Sequence, residues 1–191
     1  PESVSTPSPA SEETSTSFQV EEVDQFDDPW AMAFLPGDAG MLVTERSGTL
    51  TLRAPDGKKT EISGVPDVVA EGQGGLGDVA LSPTFATDQT IYLSWAEAGN
   101  GGSGAAVGRA AFDGSSLSGL EVIWRQDPKV SGNGHYGHRL AFDPDGEHLF
   151  VSSGERQQKT PAQDPNVTLG KIIRMNLDGS DAEIWTSGHR N

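Results

Sequence analysis

Three segments of the chain repeat one plan of short apolar runs. In each segment an apolar run leads into a proline-containing turn, marked by Pro36, Pro83 and Pro144, and two further strand-like runs follow. Runs that are short, rich in β-branched and aromatic residues and bounded by Gly, Asp and Pro are typical of strands and hairpins. The repeat therefore predicts an all-β chain built from four-stranded blades of a β-propeller. The fourth run of each unit is expected near residues 60–62, 121–124 and 182–185.

The predicted domain organisation is a short tail followed by a partial propeller. Residues 1–17 are mostly Ser, Thr, Pro and Glu, so we expect them to be disordered because they have almost no apolar surface to bury. Residues 18–191 contain the three units, with blades expected near 28–64, 74–126 and 136–187. Three blades do not close a ring, since propellers typically have at least four. We therefore expect the chain to be the N-terminal part of a longer propeller.

The charge of the chain limits the partners that it can bind. Lys and Arg total 13 and Asp and Glu total 28, which gives a formal net charge of −15. Binding to nucleic acid needs a basic face, so the composition argues against that class and against adhesion to anionic lipid. Cysteine is absent, which excludes disulfides, thiolate metal sites and a cysteine nucleophile. The longest apolar run, residues 30–35, is far shorter than a membrane span.

The beginning of the chain bears on its location. It starts at Pro1 rather than at Met, and its polar composition is typical of a segment that follows a cleaved export signal or a lipid-anchored N-terminus. This favours a periplasmic or extracellular protein, with or without a lipid anchor. An ordinary unstructured N-terminus is the alternative.

Polar residues cluster immediately before the first strand of each unit. In a propeller these first strands line the central channel, and the connections that enter them gather at one mouth. Glycines in the connections allow the backbone to approach a ligand closely. We therefore predict a cleft at the mouth that contains an amide, an imidazole and a guanidinium. The connections are residues 27–29, 72–75, 132–139 and 188–191.

Six stretches in a fixed order carry a resemblance to a known family. They read PWAMAFLP, MLVTERSGTLTL, GVPDVVAEGQGGLGDVALSPTFATDQTIYLSWAE, GHYGHRLAFDPDG, AQDPNVTLGKIIRMNLDG and EIWTSGHRN. With these motifs the chain resembles the glucose/sorbosone dehydrogenase family, especially its soluble aldose sugar dehydrogenases that use pyrroloquinoline quinone (PQQ). The resemblance implies a six-bladed propeller, of which about three blades are present. It also implies oxidation of the anomeric carbon of an aldose to the lactone, with PQQ as hydride acceptor and a further electron acceptor of unspecified identity.

The resemblance also assigns functional residues. It implies that His135, the first histidine of GHYGHRL, is the catalytic base, and that Gln73 of EGQGG contacts cofactor and substrate. It places PQQ contacts on Arg190 and Asn191 of GHRN. Calcium is implied as a second cofactor, with its ligands and the other cationic PQQ contacts expected later in the chain, so no metal site is predicted here. The family pattern is broken by a short linker before EIW and by His138, where a small residue is more usual.

The residue types suit this chemistry. An imidazole such as His135 can accept the proton of a sugar hydroxyl near neutral pH. A fixed guanidinium such as Arg190 can bind a carboxylate and stabilise developing negative charge, and Gln73 can orient a hydroxyl or a quinone oxygen. PQQ has three carboxylates and therefore needs local cations. At this mouth the sequence offers Arg190 and, as a second candidate, Arg139.

Other interpretations stay open on the residues alone. Residues 99–104 match the dinucleotide fingerprint G-x-G-x-x-G, but a strand-like run follows where a helix is required, so a hairpin loop is favoured. Asp143 and Asp145 suggest calcium, but the twelve-residue loop with its distal Glu is missing and a tight turn is favoured. His138 is assigned a structural role. A non-catalytic propeller that binds a glycan or a protein is the alternative to an enzyme, and an inactive truncation product is a third hypothesis.

Overall fold

The structure, a computed structural model, describes residues 17–191 and contains twelve β-strands in that range. Four consecutive strands form each of three antiparallel sheets, so each strand pairs with its neighbours in the sequence. The prediction of an all-β fold made of four-stranded blades is confirmed. The first sheet comprises β1 (Pro29–Phe34), β2 (Met41–Glu45), β3 (Leu50–Arg53) and β4 (Lys59–Glu61); the second comprises β5 (Leu76–Leu81), β6 (Thr90–Gly99), β7 (Gly102–Phe112) and β8 (Leu117–Arg125); the third comprises β9 (Gly137–Phe142), β10 (His148–Ser153), β11 (Lys171–Asn176) and β12 (Glu183–Ser187).

Helices contribute little to the described part of the chain. Within residues 17–191 there are only α1 (Phe85–Asp88) and two 3₁₀ turns, Pro36–Asp38 and Thr160–Gln163. None of the helices in this range is long and apolar enough to cross a bilayer. The predicted disordered tail, residues 1–17, lies outside the described residues except for Ser17, and the division of the chain after residue 17 stays a prediction.

The sheets stack face to face, with a hydrophobic core between each neighbouring pair. Leu42 of the first sheet and Trp95 of the second belong to one core, and Val151 of the third sheet belongs to the other. The adjacent residues Tyr92 and Leu93 of β6 fall in different cores, because successive side chains of a strand point to opposite faces. The second sheet is therefore packed on both faces, which accounts for its continuous apolar runs.

Strand direction gives the sheets two distinct ends. The first strands β1, β5 and β9 lie side by side, since β5 contacts both of the others. The chain enters all three from one end, here named the site end, and because strands alternate in direction the connections after even-numbered strands return to it. Connections after odd-numbered strands lie at the opposite end, the far end. All four Asp-Gly pairs lie at the far end, at residues 56–57, 113–114, 145–146 and 178–179.

Candidate functional site

The connections at the site end bring three of the predicted site residues into one hydrogen-bonded cluster. The backbone N–H of His135 donates to Oε1 of Gln73 at 2.8 Å. The N–H of Gln73 donates to the carbonyl of Asn133 at 2.7 Å, and the N–H of Gly137 donates to Oδ1 of Asn191 at 3.0 Å. The segments before β5, before β9 and after β12 are thus joined directly, while the roles of these residues stay predictions.

The imidazole of His135 is fixed by a buried carboxylate. Its Nδ1 forms a hydrogen bond with Oε1 of Glu155, whose side chain is only 2 % exposed. Because an ionised carboxylate can only accept, Nδ1 carries the proton in this pair, and in the neutral form of the ring Nε2 is the nitrogen that has a lone pair. His135 also has a φ of 51°, a left-handed conformation that is uncommon for a residue with a side chain. Backbone and side chain together fix the position and the orientation of the ring.

Glu155 is itself held in place and kept ionised. Its N–H donates to the carbonyl of Arg190 at 2.8 Å, and the N–H of Lys159 donates to its Oε2. Burial opposes ionisation of this carboxyl, but the hydrogen bonds with His135 and with the N–H of Lys159 outweigh burial and hold the pKa of Glu155 below its usual range. The sequence reasoning missed Glu155. The available signal was its place directly after an even-numbered strand, which returns the chain to the site end.

Two pockets adjoin the cluster. Gln73 and Asn191 line a pocket of about 380 Å³, whereas Glu155 and Arg190 line a smaller one of about 240 Å³. The side chain of Arg190 is exposed. Arg190 therefore does not share a pocket with the two predicted amides. His135 lines neither pocket, but it hydrogen-bonds to one lining residue of each, Gln73 and Glu155.

Arg46 is a further cation at the site end, and the sequence reasoning did not find it. It lines the larger pocket next to Trp30. Its Nε donates to Oδ2 of Asp28 at 2.6 Å, and its guanidinium also donates to the carbonyl of Gly72. β2 is an even-numbered strand, so the residue that follows it lies at the site end. Arg46 is thus present at this mouth in addition to the expected Arg190 and Arg139, and the roles of those two residues stay predictions.

The second candidate, Arg139, is engaged elsewhere. Its guanidinium donates to Oδ1 of Asp78 at 2.9 Å and lies 4.6 Å from the ring centre of Trp30. Asp78 is buried, and burial raises the pKa of its carboxyl despite the nearby guanidinium. Arg139 thus compensates a buried carboxylate on the neighbouring first strand through one terminal nitrogen, and it lines neither of the two pockets.

His138 has the structural role that the sequence suggested. It is buried, its ring stacks on Trp30 with ring centres 5.1 Å apart, and its Nδ1 lies 3.0 Å from Oγ of Ser94. Burial, reinforced by the positive charges of Arg139 and Arg156, lowers the pKa of His138 to about 3. The ring is therefore neutral at physiological pH and forms part of the wall of the larger pocket.

The remaining motifs resolve as turns and strands. Residues 99–104 form the tip and flanks of the β6–β7 hairpin, with Gly99 paired to Gly102, as favoured over a dinucleotide site. Asp143 accepts N–H groups from Glu147 and His148 in a tight turn. Among residues 17–191 no group of three or more His, Asp or Glu side chains could hold a metal ion. The expectation of calcium ligands later in the chain stays a prediction.

Sequence comparison places these features in a family. The chain matches the family described as Glucose / Sorbosone dehydrogenase over residues 26–191. It is 43% identical over 185 residues to the aldose sugar dehydrogenase YliI of Escherichia coli K12, covering 88% of this chain and 50% of that protein. It is 35% identical to an uncharacterised Synechocystis protein, covering 88% of this chain and 48% of the other. The chain spans about half the length of the curated relatives that it matches.

Solved structures agree with this match. The soluble aldose sugar dehydrogenase of Escherichia coli in its apo form superposes with a TM-score of 0.81 at 41% identity, over 86% of this chain and 52% of that one. The PQQ-bound aldose sugar dehydrogenase of Streptomyces coelicolor superposes with a TM-score of 0.76 at 32% identity, over 87% and 52%. The three sheets thus correspond to part of a β-propeller. The chain belongs to the glucose/sorbosone dehydrogenase family.

Proposed function

We propose that the complete protein is a PQQ-dependent aldose dehydrogenase that oxidises the anomeric carbon of an aldose to the lactone. The observation that carries this proposal is the pair formed by His135 and the buried Glu155, set in a cluster with Gln73 at the site end. A binding surface has no need of a histidine whose tautomer is fixed by a buried carboxylate, whereas a proton acceptor does. Relatives named as aldose sugar dehydrogenases support the same reaction class.

The donors at the site end suit PQQ, which is a planar tricarboxylate. The exposed guanidinium of Arg190 can bind a carboxylate in a bidentate manner, and the amides of Gln73 and Asn191 can donate to carboxylate or quinone oxygens. Arg46 also lines the larger pocket, but Asp28 at 2.6 Å compensates its charge, so we propose that the other cations needed by PQQ lie outside this chain. When bound, PQQ supplies a hydride acceptor, which no amino-acid side chain provides. We further propose calcium as a second cofactor, with ligands outside this chain.

The chain's own residues handle the proton. Nε2 of His135 accepts the proton of the anomeric hydroxyl as the carbon–oxygen bond gains double-bond character. The carboxylate of Glu155 stabilises the imidazolium that forms and keeps the ring from rotating. Oε1 of Gln73 accepts the backbone N–H of His135 and so fixes the backbone there. The side-chain N–H₂ group of Gln73 is left to orient the sugar or the cofactor. We place the reaction in the periplasm or outside the cell, as expected from the polar N-terminal segment.

The proposal is tested with His135→Ala in the complete protein. Apoprotein is supplied with PQQ and calcium, and aldose-dependent reduction of an artificial electron acceptor is followed. We expect kcat to fall by about 10²–10⁴-fold, since that is the usual contribution of a positioned base, while PQQ still binds in an absorbance titration. His148→Ala is the control, because His148 lies at the far end and contacts Asp143.

The outcomes separate the enzyme from its alternative. PQQ-dependent turnover that is lost in His135→Ala and retained in His148→Ala supports the assignment. Near-normal turnover in His135→Ala overturns the role of His135. If the unmutated protein binds no PQQ and oxidises none of a panel of aldoses, the non-catalytic propeller that binds a glycan or a protein takes the place of the enzyme.

A further inference from the structure

Arg156 directly follows Glu155 and is completely buried. Its Nε donates to the carbonyl of Gly134 at 2.9 Å, and its two terminal nitrogens donate to the carbonyls of Ser103 and Gly132. In the described part of the chain its guanidinium is thus bound by backbone carbonyls rather than by a carboxylate. Removing a charge from water in this way costs free energy, so the burial of Arg156 needs a structural or functional explanation.

The aromatic ring of Tyr136 completes the surroundings of this guanidinium. The guanidinium lies 3.7 Å from the ring centre, close enough for a cation–π interaction, and the phenol oxygen of Tyr136 lies 2.7 Å from Oγ of Ser103. Burial lowers the pKa of Arg156, but an arginine stays protonated in proteins. The group is therefore a permanent cation that is compensated by carbonyl dipoles and an aromatic face.

The segment that Arg156 binds is the one that carries His135. Residues 132–135 read Gly-Asn-Gly-His, and two glycines in four residues leave the free segment many conformations. His135 has a positive φ, which a segment of this kind does not hold unaided. The N–H of Arg156 also donates to the carbonyl of His135 at 3.1 Å, so one residue binds the segment at three of its carbonyls.

We propose that Arg156 is a positioning residue for the reaction: it fixes the backbone of residues 132–135 while its neighbour Glu155 fixes the imidazole of His135. Arg156 then determines where His135 lies, and Glu155 determines how its imidazole is oriented. The inference deepens the proposed function and rests on it. Lysine can replace arginine only in part here, because one ammonium cannot reach all the carbonyls that the planar guanidinium bonds through separate nitrogens.

The test uses Arg156→Met and Arg156→Lys in the complete protein. We expect Arg156→Met to lower kcat about 100-fold with KM changed less than about threefold, since misplacement of a reacting group by about 1 Å has effects of this size. The kcat of Arg156→Lys should be about tenfold higher than that of Arg156→Met. Arg109→Met is the matched control, because Arg109 pairs with Glu121 on the surface and should leave kcat within twofold.

A second readout needs no cofactor and no turnover. In the apoprotein, amide hydrogen exchange in residues 131–138 should accelerate at least tenfold in both Arg156 variants, while exchange in β2 and β3 of the first sheet, which form no hydrogen bond with Arg156, stays unchanged. This result separates positioning from general stabilisation, and it also separates failure of this inference from failure of the proposed function. If Arg156→Met does not fold, Arg156→Lys is used for both measurements.

Each outcome decides the question. Local acceleration of exchange together with a loss in kcat supports positioning. Wild-type kcat with unchanged exchange overturns it, and so does acceleration spread evenly over all three sheets, which would mean that Arg156 only stabilises the fold. If the unmutated protein has no PQQ-dependent turnover, the exchange result alone decides whether Arg156 orders the segment.

Discussion

The two ends of the sheets are held together in different ways. At the far end, a turn such as 113–116 is closed by its own first residue: Oδ1 of Asp113 accepts the N–H of Ser115 at 2.8 Å and of Ser116 at 2.7 Å. At the site end, the bond between Gln73 and His135 joins residues that are 62 positions apart. The far-end turns are closed mainly by their own residues, even where they also contact a distant segment, as when the N–H of Ser63 donates to the carbonyl of Ser115 at 3.3 Å. The site, in contrast, exists only when the sheets are packed against each other.

This difference predicts how substitutions act. A change in a far-end turn removes short-range contacts and should lower stability slightly without reaching the chemistry. A change at the site end removes a contact between distant segments, and it should alter the position of His135 as well as stability. Predictions at the two ends therefore test whether stability and chemistry are separable in this fold.

The largest effect is expected for Glu155→Gln. The amide has nearly the shape of the carboxylate, but it carries no charge to stabilise the imidazolium, and its N–H₂ group can force the wrong tautomer on His135. We expect kcat of the complete protein to fall about 10²–10⁴-fold, as when the carboxylate behind a catalytic histidine is made an amide. Steady-state kinetics with saturating PQQ measure this, with Tm recorded beside them.

Glu121→Gln is the matched control for this prediction. Glu121 pairs with Arg109 at 2.9 Å on the surface, so its neutralisation should change kcat by less than twofold. If both variants lose activity to the same extent, Glu155 acts through stability alone. Full activity in Glu155→Gln would show that the His135–Glu155 pair is not part of the reaction.

The same contrast explains how much could be predicted from the sequence. The strands and far-end turns depend on local patterns, such as apolar runs and Asp-Gly pairs, and these were found. Gln73, His135 and Asn191 come together because the strand order alone brings the entries of first strands to one mouth. Arg46 and Glu155 were missed because only the connections that enter first strands were considered, whereas these two residues follow the even-numbered strands β2 and β10.

Substitutions at two glycines, one near the site end and one at the far end, are expected to have effects of intermediate size. A Cβ at Gly77, on β5, would collide with the buried ring of His138, which cannot shift because it stacks on Trp30. Gly114, in a far-end turn, has nothing within 4 Å and needs only its positive φ of 93°. Gly77→Ala should therefore destabilise the protein by about 3 kcal/mol through overpacking, and Gly114→Ala by about 1 kcal/mol through backbone strain.

Urea unfolding of both variants measures these free energies, and kcat is measured below the transition. Only Gly77→Ala should also change kcat, because His138 lies three residues after His135 and lines the larger pocket. Equal losses of stability, or a loss of kcat in Gly114→Ala, would contradict the distinction between the two ends.

The smallest effect is expected for Asp113→Asn at the far end. The backbone N–H of Ser115, followed by the hydroxyl and N–H of Ser116, lowers the pKa of Asp113 to about 2 from its usual 3.8. Because the pKa is lower in the folded state, the ionised carboxylate stabilises the fold at every pH above about 3.8, and this stabilisation is lost as the pH falls towards 2. Asparagine keeps an acceptor for the N–H groups but has no charge, so the variant isolates the charge.

At pH 7 we expect Tm of Asp113→Asn to be lower than that of the unmutated protein by about 2 °C. The difference should narrow as the pH falls from 4 towards 2, and kcat should not change at pH 7, because the turn lies at the end opposite His135. A Tm difference that is constant from pH 6 to pH 2 would mean that the hydrogen bonds act without the charge. A change in kcat would mean that a far-end turn affects the site through the packed sheets. Stability and chemistry would then not be separable in this fold, even for a substitution in an exposed turn.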